Sequence, residues 1–132
     1  METSLTQILG IKHPVIMAPM FLVTNTKMMI EALNCGIGAA IPALNYRTDA
    51  EFRKSINEIK QSAEGPIGVN LIVNKSNIKL NIQLQSCLDL KVSFIITSLG
   101  SPEEVIKQCK PHGIKVFCDV IDLKFAQKGD SK

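Results

Sequence analysis

The sequence predicts an α/β fold built from repeated strand–helix units, and three features carry that prediction. Short apolar runs alternate with amphipathic stretches, one strand and one helix about every 20 to 28 residues along the 132-residue chain. The apolar runs are nearly continuous rather than alternating, which marks strands covered on both faces, as in a parallel sheet with crossover helices. Turn and cap residues stand between the units, with Gly36, Gly100 and Gly113 at the ends of segments.

The first run, Val15-Ile16-Met17-Ala18, is stopped by Pro19. A helix follows over about 25–35, with Met28, Met29, Ala32 and Leu33 at helical spacing, Thr24 or Asn25 as cap and Gly36 as its close. Residues 37–41 form a second strand of small side chains, followed by a loop through Pro42 and Asn45. The helix over 49–62 is the best marked. Phe52, Ile56 and Ile59 make one apolar stripe, and Thr48 with Glu51 is a capping-box pair.

The third strand covers 66–73 and runs into a polar loop, then a helix over about 77–88. Residues 92–97 are the fourth strand, ended by Gly100. The next helix, about 101–110, has Pro102 at its first position and Glu103 and Glu104 in its first turn, all features of a helix start. Pro111-His112-Gly113 ends it. The fifth strand is 115–120, and a last helical stretch begins near Leu123, with 125–132 read as breaking off after barely one turn. One domain is expected over 1–132, with neither a second domain nor a low-complexity linker.

Five strand–helix units admit two architectures. One is a small doubly wound sheet with a ligand at its switch point. The other is an incomplete (β/α)8 barrel, a fold whose full length is about 250 residues. A doubly wound domain closes with a helix covering the sheet, and the brief last helix expected here favours the barrel.

Composition narrows the function classes. Hydrophobic residues make up 45% and charged residues 20%, a globular balance. The net charge is +3, the lysines are dispersed, and one Tyr with no Trp leaves little to stack on bases, so a nucleic-acid partner is not expected. No apolar run approaches the roughly 20 residues that span a bilayer, and no secretory leader is visible. Cys35, Cys87, Cys109 and Cys118 are too scattered for a disulfide framework or zinc site. Three of them sit in apolar surroundings, and the set is expected to be reduced thiols in a cytoplasmic protein.

Two strand ends carry candidate chemistry. In Ala18-Pro19-Met20 a strand runs straight into proline at its carboxyl end, the face where ligands bind in parallel barrels and sheets. The fixed backbone and soft Met20 suit a flat ring, although proline is also an ordinary strand terminator. In Gly68-Val69-Asn70 an amide closes an apolar strand, a costly position unless it is hydrogen-bonded. An amide that both donates and accepts can read the carbonyl and ring-nitrogen edge of a flavin, or satisfy loop backbone.

The stretch Leu9-Gly10-Ile11-Lys12-His13-Pro14-Val15-Ile16-Met17-Ala18-Pro19-Met20 resembles the opening of the nitronate monooxygenases, once called 2-nitropropane dioxygenases, with their G-x-x-x-P-hydrophobic-x-x-A-P-M pattern. Gly36-Ile37-Gly38 resembles that family's second strand, with Cys35 replacing one glycine, and Pro66–Leu71 its F-G-V-N third strand. The resemblance covers nearly the whole chain. It implies the amino-terminal portion of a TIM barrel holding FMN, in an enzyme that oxidises small nitronates with O2. By family pattern Ala18, Pro19, Met20 and Asn70 contact the flavin. Ser98 and Asp119 are added by position, as the ends of the fourth and fifth strands. Asp119 is read either as a ligand contact or, preferentially, as a local salt bridge with a lysine.

The resemblance also says what is missing. The family's histidine base lies in a G-G-H-x-G loop after the sixth strand, and its phosphate loops follow the seventh and eighth. This chain contains neither, so no catalytic residue is assigned within it and activity is expected only of a full-length barrel. His13 and His112 fall on the opposite, amino-terminal face and are read as structural. Two alternatives stand beside this reading. One is the flavin-dependent enoyl-[acyl-carrier-protein] reductase that shares fold and opening motif. The other is a non-catalytic half-barrel that pairs with another chain, including a homo-oligomer, through its open edges.

Overall fold

The computed structural model describes residues 1–130. Five strands, β1 (Ile16–Met17), β2 (Gly38–Pro42), β3 (Ile67–Ile72), β4 (Phe94–Ser98) and β5 (Lys115–Cys118), pair in parallel in the order β1-β2-β3-β4-β5. Six α-helices accompany them: α1 (Ser4–Leu9), α2 (Thr26–Asn34), α3 (Asp49–Ser62), α4 (Leu80–Asp89), α5 (Glu103–Cys109) and α6 (Leu123–Asp130). The strand order decides between the two architectures. A doubly wound sheet reverses direction at its switch point, whereas here every crossover steps the same way, as in the wall of a (β/α)8 barrel. The fold is the amino-terminal part of such a barrel.

Alternation along each strand separates two faces. Ala39, Ile41, Ile67, Val69, Leu71 and Ile95 belong to the main apolar core, which they share with Met29 of α2, Phe52, Ile56 and Ile59 of α3, Leu84 of α4 and Val105 of α5. Their neighbours Pro42, Gly68, Asn70, Phe94, Ile96 and Ser98 therefore face the other way, into the barrel interior. Fully buried Phe94 fills the lower part of that interior, its ring edge-on to Phe117 at 5.6 Å and 87°. Helix α1 covers the same end. A Cβ on Gly38 would lie 3.5 Å from the Leu9 side chain and 3.8 Å from Phe94.

The local signals account for most elements. Thr48 and Glu51 form the reciprocal capping box of α3, and the Asn25 side chain, rather than Thr24, caps α2. Gly36, at φ 78°, turns the chain out of α2.

Several expectations are corrected. Helix α1 was not anticipated; Thr3 and Thr6 cap it reciprocally and left-handed Gly10 ends it. Strands β1 and β5 are mostly half-buried rather than buried, because each has a single neighbour in the sheet. Pro102 stands before α5, at its cap position, not as its first residue. Helix α6 runs for eight residues, more than the single turn expected; Ser131 and Lys132 lie outside the described residues. Among the described residues, no helix is long and apolar enough to cross a membrane.

Candidate functional site

The carboxyl ends of β1, β3, β4 and β5 open on one side of the sheet, and the six residues singled out in the sequence all stand there. Ala18, Pro19 and Met20 follow β1 directly, with Ala18 and Met20 exposed and Pro19 half-buried. The backbone after them is tied down by side chains. The Met20 amide donates to Thr24 Oγ1 at 2.8 Å, and the Thr24 amide returns to the Met20 carbonyl at 2.9 Å. Asn45, from the 3-10 turn after β2, accepts from the Leu22 amide at 2.8 Å and donates to the Thr24 carbonyl at 2.9 Å. Leu22 is held at φ 58°, a conformation a bulky side chain rarely adopts. Phe21, Leu22 and Val23 consequently project as an apolar rim, each more than half exposed.

Asn70, Ser98 and Asp119 form one hydrogen-bonded series. Asn70 is the inner-face residue near the end of β3, in register with Pro42 and Ile96, and half-buried. Its Nδ2 donates to the Ile96 carbonyl at 3.0 Å and to Ser98 Oγ at 2.9 Å. Ser98 Oγ in turn reaches Asp119 Oδ2 at 3.4 Å, long for an O–H···O bond. Asp119 is exposed, anchored by its amide to the Thr97 carbonyl at 2.9 Å. Both N–H groups of Asn70 are thus directed to the protein. Asp119 does not form the expected salt bridge; among the described residues it has no lysine partner, because its exposed position demands none. Among the described residues no hydrogen bond ties the Ala18–Met20 segment to this series.

Beside Asp119 lies a cleft of about 460 Å³ between the loops that follow β4 and β5. Leu99, Pro102, Val120, Ile121 and Phe125 make its walls largely apolar, and among the described residues Asp119 is its only charged lining residue. Leu99, at φ 61°, is a second leucine held in left-handed backbone just beyond a strand end. Sequence reasoning missed both this cleft and the role of Asn45. The apolar residues after Ser98 and Asp119 were the available signal, since exposed Leu and Ile in loops need a reason only when they cluster.

The remaining titratable groups lie elsewhere. Arg53 bridges Asp49 and Asp89 at 2.7 Å each, joining α3 to α4 on the helical side. Hydrogen bonding to Ser86, then to Arg53, holds the Asp49 carboxyl below its ordinary range, and the Arg53 guanidinium does the same for Asp89. Burial pushes the Cys87 thiol far up and the Cys109 thiol up to about 11. Cys87 and Cys109 are buried, Cys118 is half-buried and Cys35 is exposed, so two of the thiols rather than three are sealed in the core. His13 precedes β1 and His112 precedes β5, both exposed at the amino-terminal end as expected. No cluster of three metal-ligating side chains occurs among the described residues.

No family model matches the chain. Curated relatives do, two dehydrogenases among them. One is the (3aS,4S,5R,7aS)-5-hydroxy-7a-methyl-1-oxo-octahydro-1H-indene-4-carboxyl-CoA dehydrogenase of Rhodococcus jostii, 27% identical over 128 residues. The other is the enzyme of the same name from Mycobacterium tuberculosis, 26% identical over 128 residues. Each match takes in 97% of this chain but 35% of the relative, so the chain spans about a third of their length. Among solved structures, FabK from Thermotoga maritima superimposes with a TM-score of 0.91 over 99% of this chain and 41% of its own, at 24% identity. Nitroalkane oxidase from Streptomyces ansochromogenes gives 0.84 over 98% and 46%, at 16% identity. These likenesses establish the fold.

Proposed function

We propose that residues 1–132 are the amino-terminal part of an FMN-binding TIM-barrel domain in an oxidoreductase of the nitronate monooxygenase type, which oxidises alkyl nitronates with O2. The observation that carries this reading is the Asn70–Ser98–Asp119 series at the carboxyl ends of three adjacent parallel strands, on the face where barrel enzymes bind their ligands. The opening motif and the fold shared with nitroalkane oxidase support it.

The residues present fit the ring end of a flavin. Asn70 offers one free acceptor, and Ala18, Pro19 and Met20 supply a backbone-pinned, apolar flank. The histidine base and the phosphate loops of the resembled family belong to a part of the barrel outside this chain. The electron transfer itself is the chemistry of the flavin when bound. This chain's residues bind and orient: Asn70 holds an edge of the ring, and the pinned rim of Phe21, Leu22 and Val23 shields one side of the mouth from water. A reducing cytoplasm, in which four free thiols would persist, is part of the same reading.

A second reading is favoured by the curated relatives, both named as carboxyl-CoA dehydrogenases. In it the substrate is an acyl thioester, bicyclic as in the relatives' name or a long acyl chain as for the enoyl reductase that the sequence also resembles, and the exposed apolar rim and cleft receive the acyl group.

The test is to purify the protein from its source cells, record its visible spectrum, and assay it in parallel. Oxygen uptake with ethylnitronate and propyl-2-nitronate supports the first reading. Reduced-nicotinamide consumption with an enoyl thioester supports the second. Protein without flavin absorbance, inert in both assays, would leave the half-barrel as a pairing module and overturn the proposal.

A further inference from the structure

We infer that the amino-terminal end of the barrel wall, opposite the candidate site, is a docking surface for an extended acidic segment of a partner protein. The segment seats one apolar side chain in a groove and sets its carboxylates on the lysines around it. The inference does not depend on what the carboxyl end binds.

A groove of about 370 Å³ lies at this end. Ile8 and Leu9 of α1 and Pro66 before β3 give it apolar lining, and Ile8 is exposed in it. Gly10 and Gly113 also line it, at φ 66° and 68°. A Cβ on either would meet no atom within 4 Å, so the backbone there is open to close approach. Ser93 Oγ accepts from the Ile67 amide at 3.2 Å, and among the described residues its own proton has no acceptor. That proton is available to a backbone carbonyl laid along the groove.

The charge around the groove is one-sided. Lys115 lines it, and Lys12, Lys91 and His112 stand within two residues of Gly10, Ser93 and Gly113. All four are exposed. Among the described residues Glu64, beside Gly65, is the only acid placed as closely in the chain. Lysines at this end also serve to offset the helix carboxyl termini, which point this way. Lys60 does so, its ammonium donating to the Leu90 carbonyl at the end of α4. Lys12, Lys91 and Lys115 do not: among the described residues none of them bonds to a carbonyl or pairs with a carboxylate. His112 lies near Asp89, whose carboxylate Arg53 already holds. Apolar lining with unspent cations around it is the complement of an acidic segment that carries an apolar residue. Among the described lining residues there is no Arg fork and no aromatic ring for a nucleic acid. Ile8 is the only exposed large apolar side chain among them, too little to enter a bilayer.

The experiment titrates the full native chain into a fluorescein-labelled heptapeptide of six glutamates around a central leucine and follows its anisotropy. Binding is expected, weakening as salt rises. Replacing the central leucine by serine should weaken it about tenfold, and so should the double reversal Lys12→Glu with Lys115→Glu. Lys27→Glu, in the first turn of α2 at the other end of the barrel wall, should leave the affinity unchanged. Denaturant unfolding run beside the titrations confirms that each variant is folded, and Lys91→Glu, at an exposed position, repeats the test should the double variant unfold. No binding by the native chain, or equal binding by the reversed variants, would overturn the docking surface. Tighter binding of single-stranded poly(U) or of phosphatidylserine vesicles would overturn it too, by giving the face to another polyanion.

Discussion

Gly68 and Phe94 are register partners on the inner face of β3 and β4, and a Cβ built on Gly68 would lie 2.3 Å from two carbons of the Phe94 ring. That separation is far inside any real contact, so the bare backbone of Gly68 is what lets the aromatic ring fill the lower barrel interior. Because Phe94 is fully buried and braced by Phe117, it has no room to retreat. Gly68→Ala should therefore destabilise the fold by about 1–3 kcal/mol through overpacking. Phe94→Leu should cost stability by itself yet recover part of that loss when combined with Gly68→Ala, since contacting residues couple. Urea denaturation of the two single variants and the double variant measures this; strict additivity would contradict the described contact.

The Arg53 bridge makes an acid-side prediction. Asp49 and Asp89 have folded-state values depressed below the ordinary 3.8. A depressed carboxylate contributes stability that is present above its unfolded value and lost as pH falls through its folded value. The native chain should thus lose stability below about pH 4, and Arg53→Met should show a shallower loss over that window, because its aspartates no longer differ as much between states. Both aspartates are partly solvent-exposed, so the neutral-pH penalty of the variant should be small. Thermal unfolding from pH 2 to 7 compares the two.

Thiol chemistry should follow burial. Cys35 is exposed and should react first with Ellman's reagent at pH 8. Cys87 and Cys109 are buried, with thiols pushed upward by desolvation, and should stay silent until the chain unfolds. Peptide mapping after timed labelling gives the order; early labelling of Cys87 would contradict the packing of α4 on the sheet.

Asn45 should control the order of the loop after β1. Asn45→Ala removes the acceptor for the Leu22 amide and the donor to the Thr24 carbonyl, at a cost of about 1–2 kcal/mol for two hydrogen bonds. Amide exchange at Leu22 should accelerate. Leu22→Gly should act oppositely on the backbone, relieving about 1 kcal/mol of left-handed strain. A Leu22→Gly variant less stable than the native chain would mean that the apolar rim packs against something of greater value than the strain.

What was legible in the sequence was whatever is written locally. Helix α3 could be bounded at both ends because Thr48, Glu51 and the Phe52–Ile56–Ile59 stripe all lie within one element. Helix α1 escaped because its cap is completed by Thr6 instead of a Glu or Gln, and because six residues are too few to show a period. Asn70, Ser98 and Asp119 could be placed at strand ends, but not in contact. They are 28 and 21 residues apart, and their meeting depends on a register that no local pattern states. The direction of the Asn70 amide was beyond reach for the same reason, since the Ile96 carbonyl that fixes it belongs to another strand.

The unidirectional strand order has a consequence for how the chain is made. Among the described residues each strand pairs with the one synthesised just before it. Loop closures remain short, and a newly emerged strand–helix unit always finds a finished edge against which to settle. Assembly can therefore follow translation step by step, β2 locking onto β1 and β3 onto β2 while the region of β5 is still inside the ribosome.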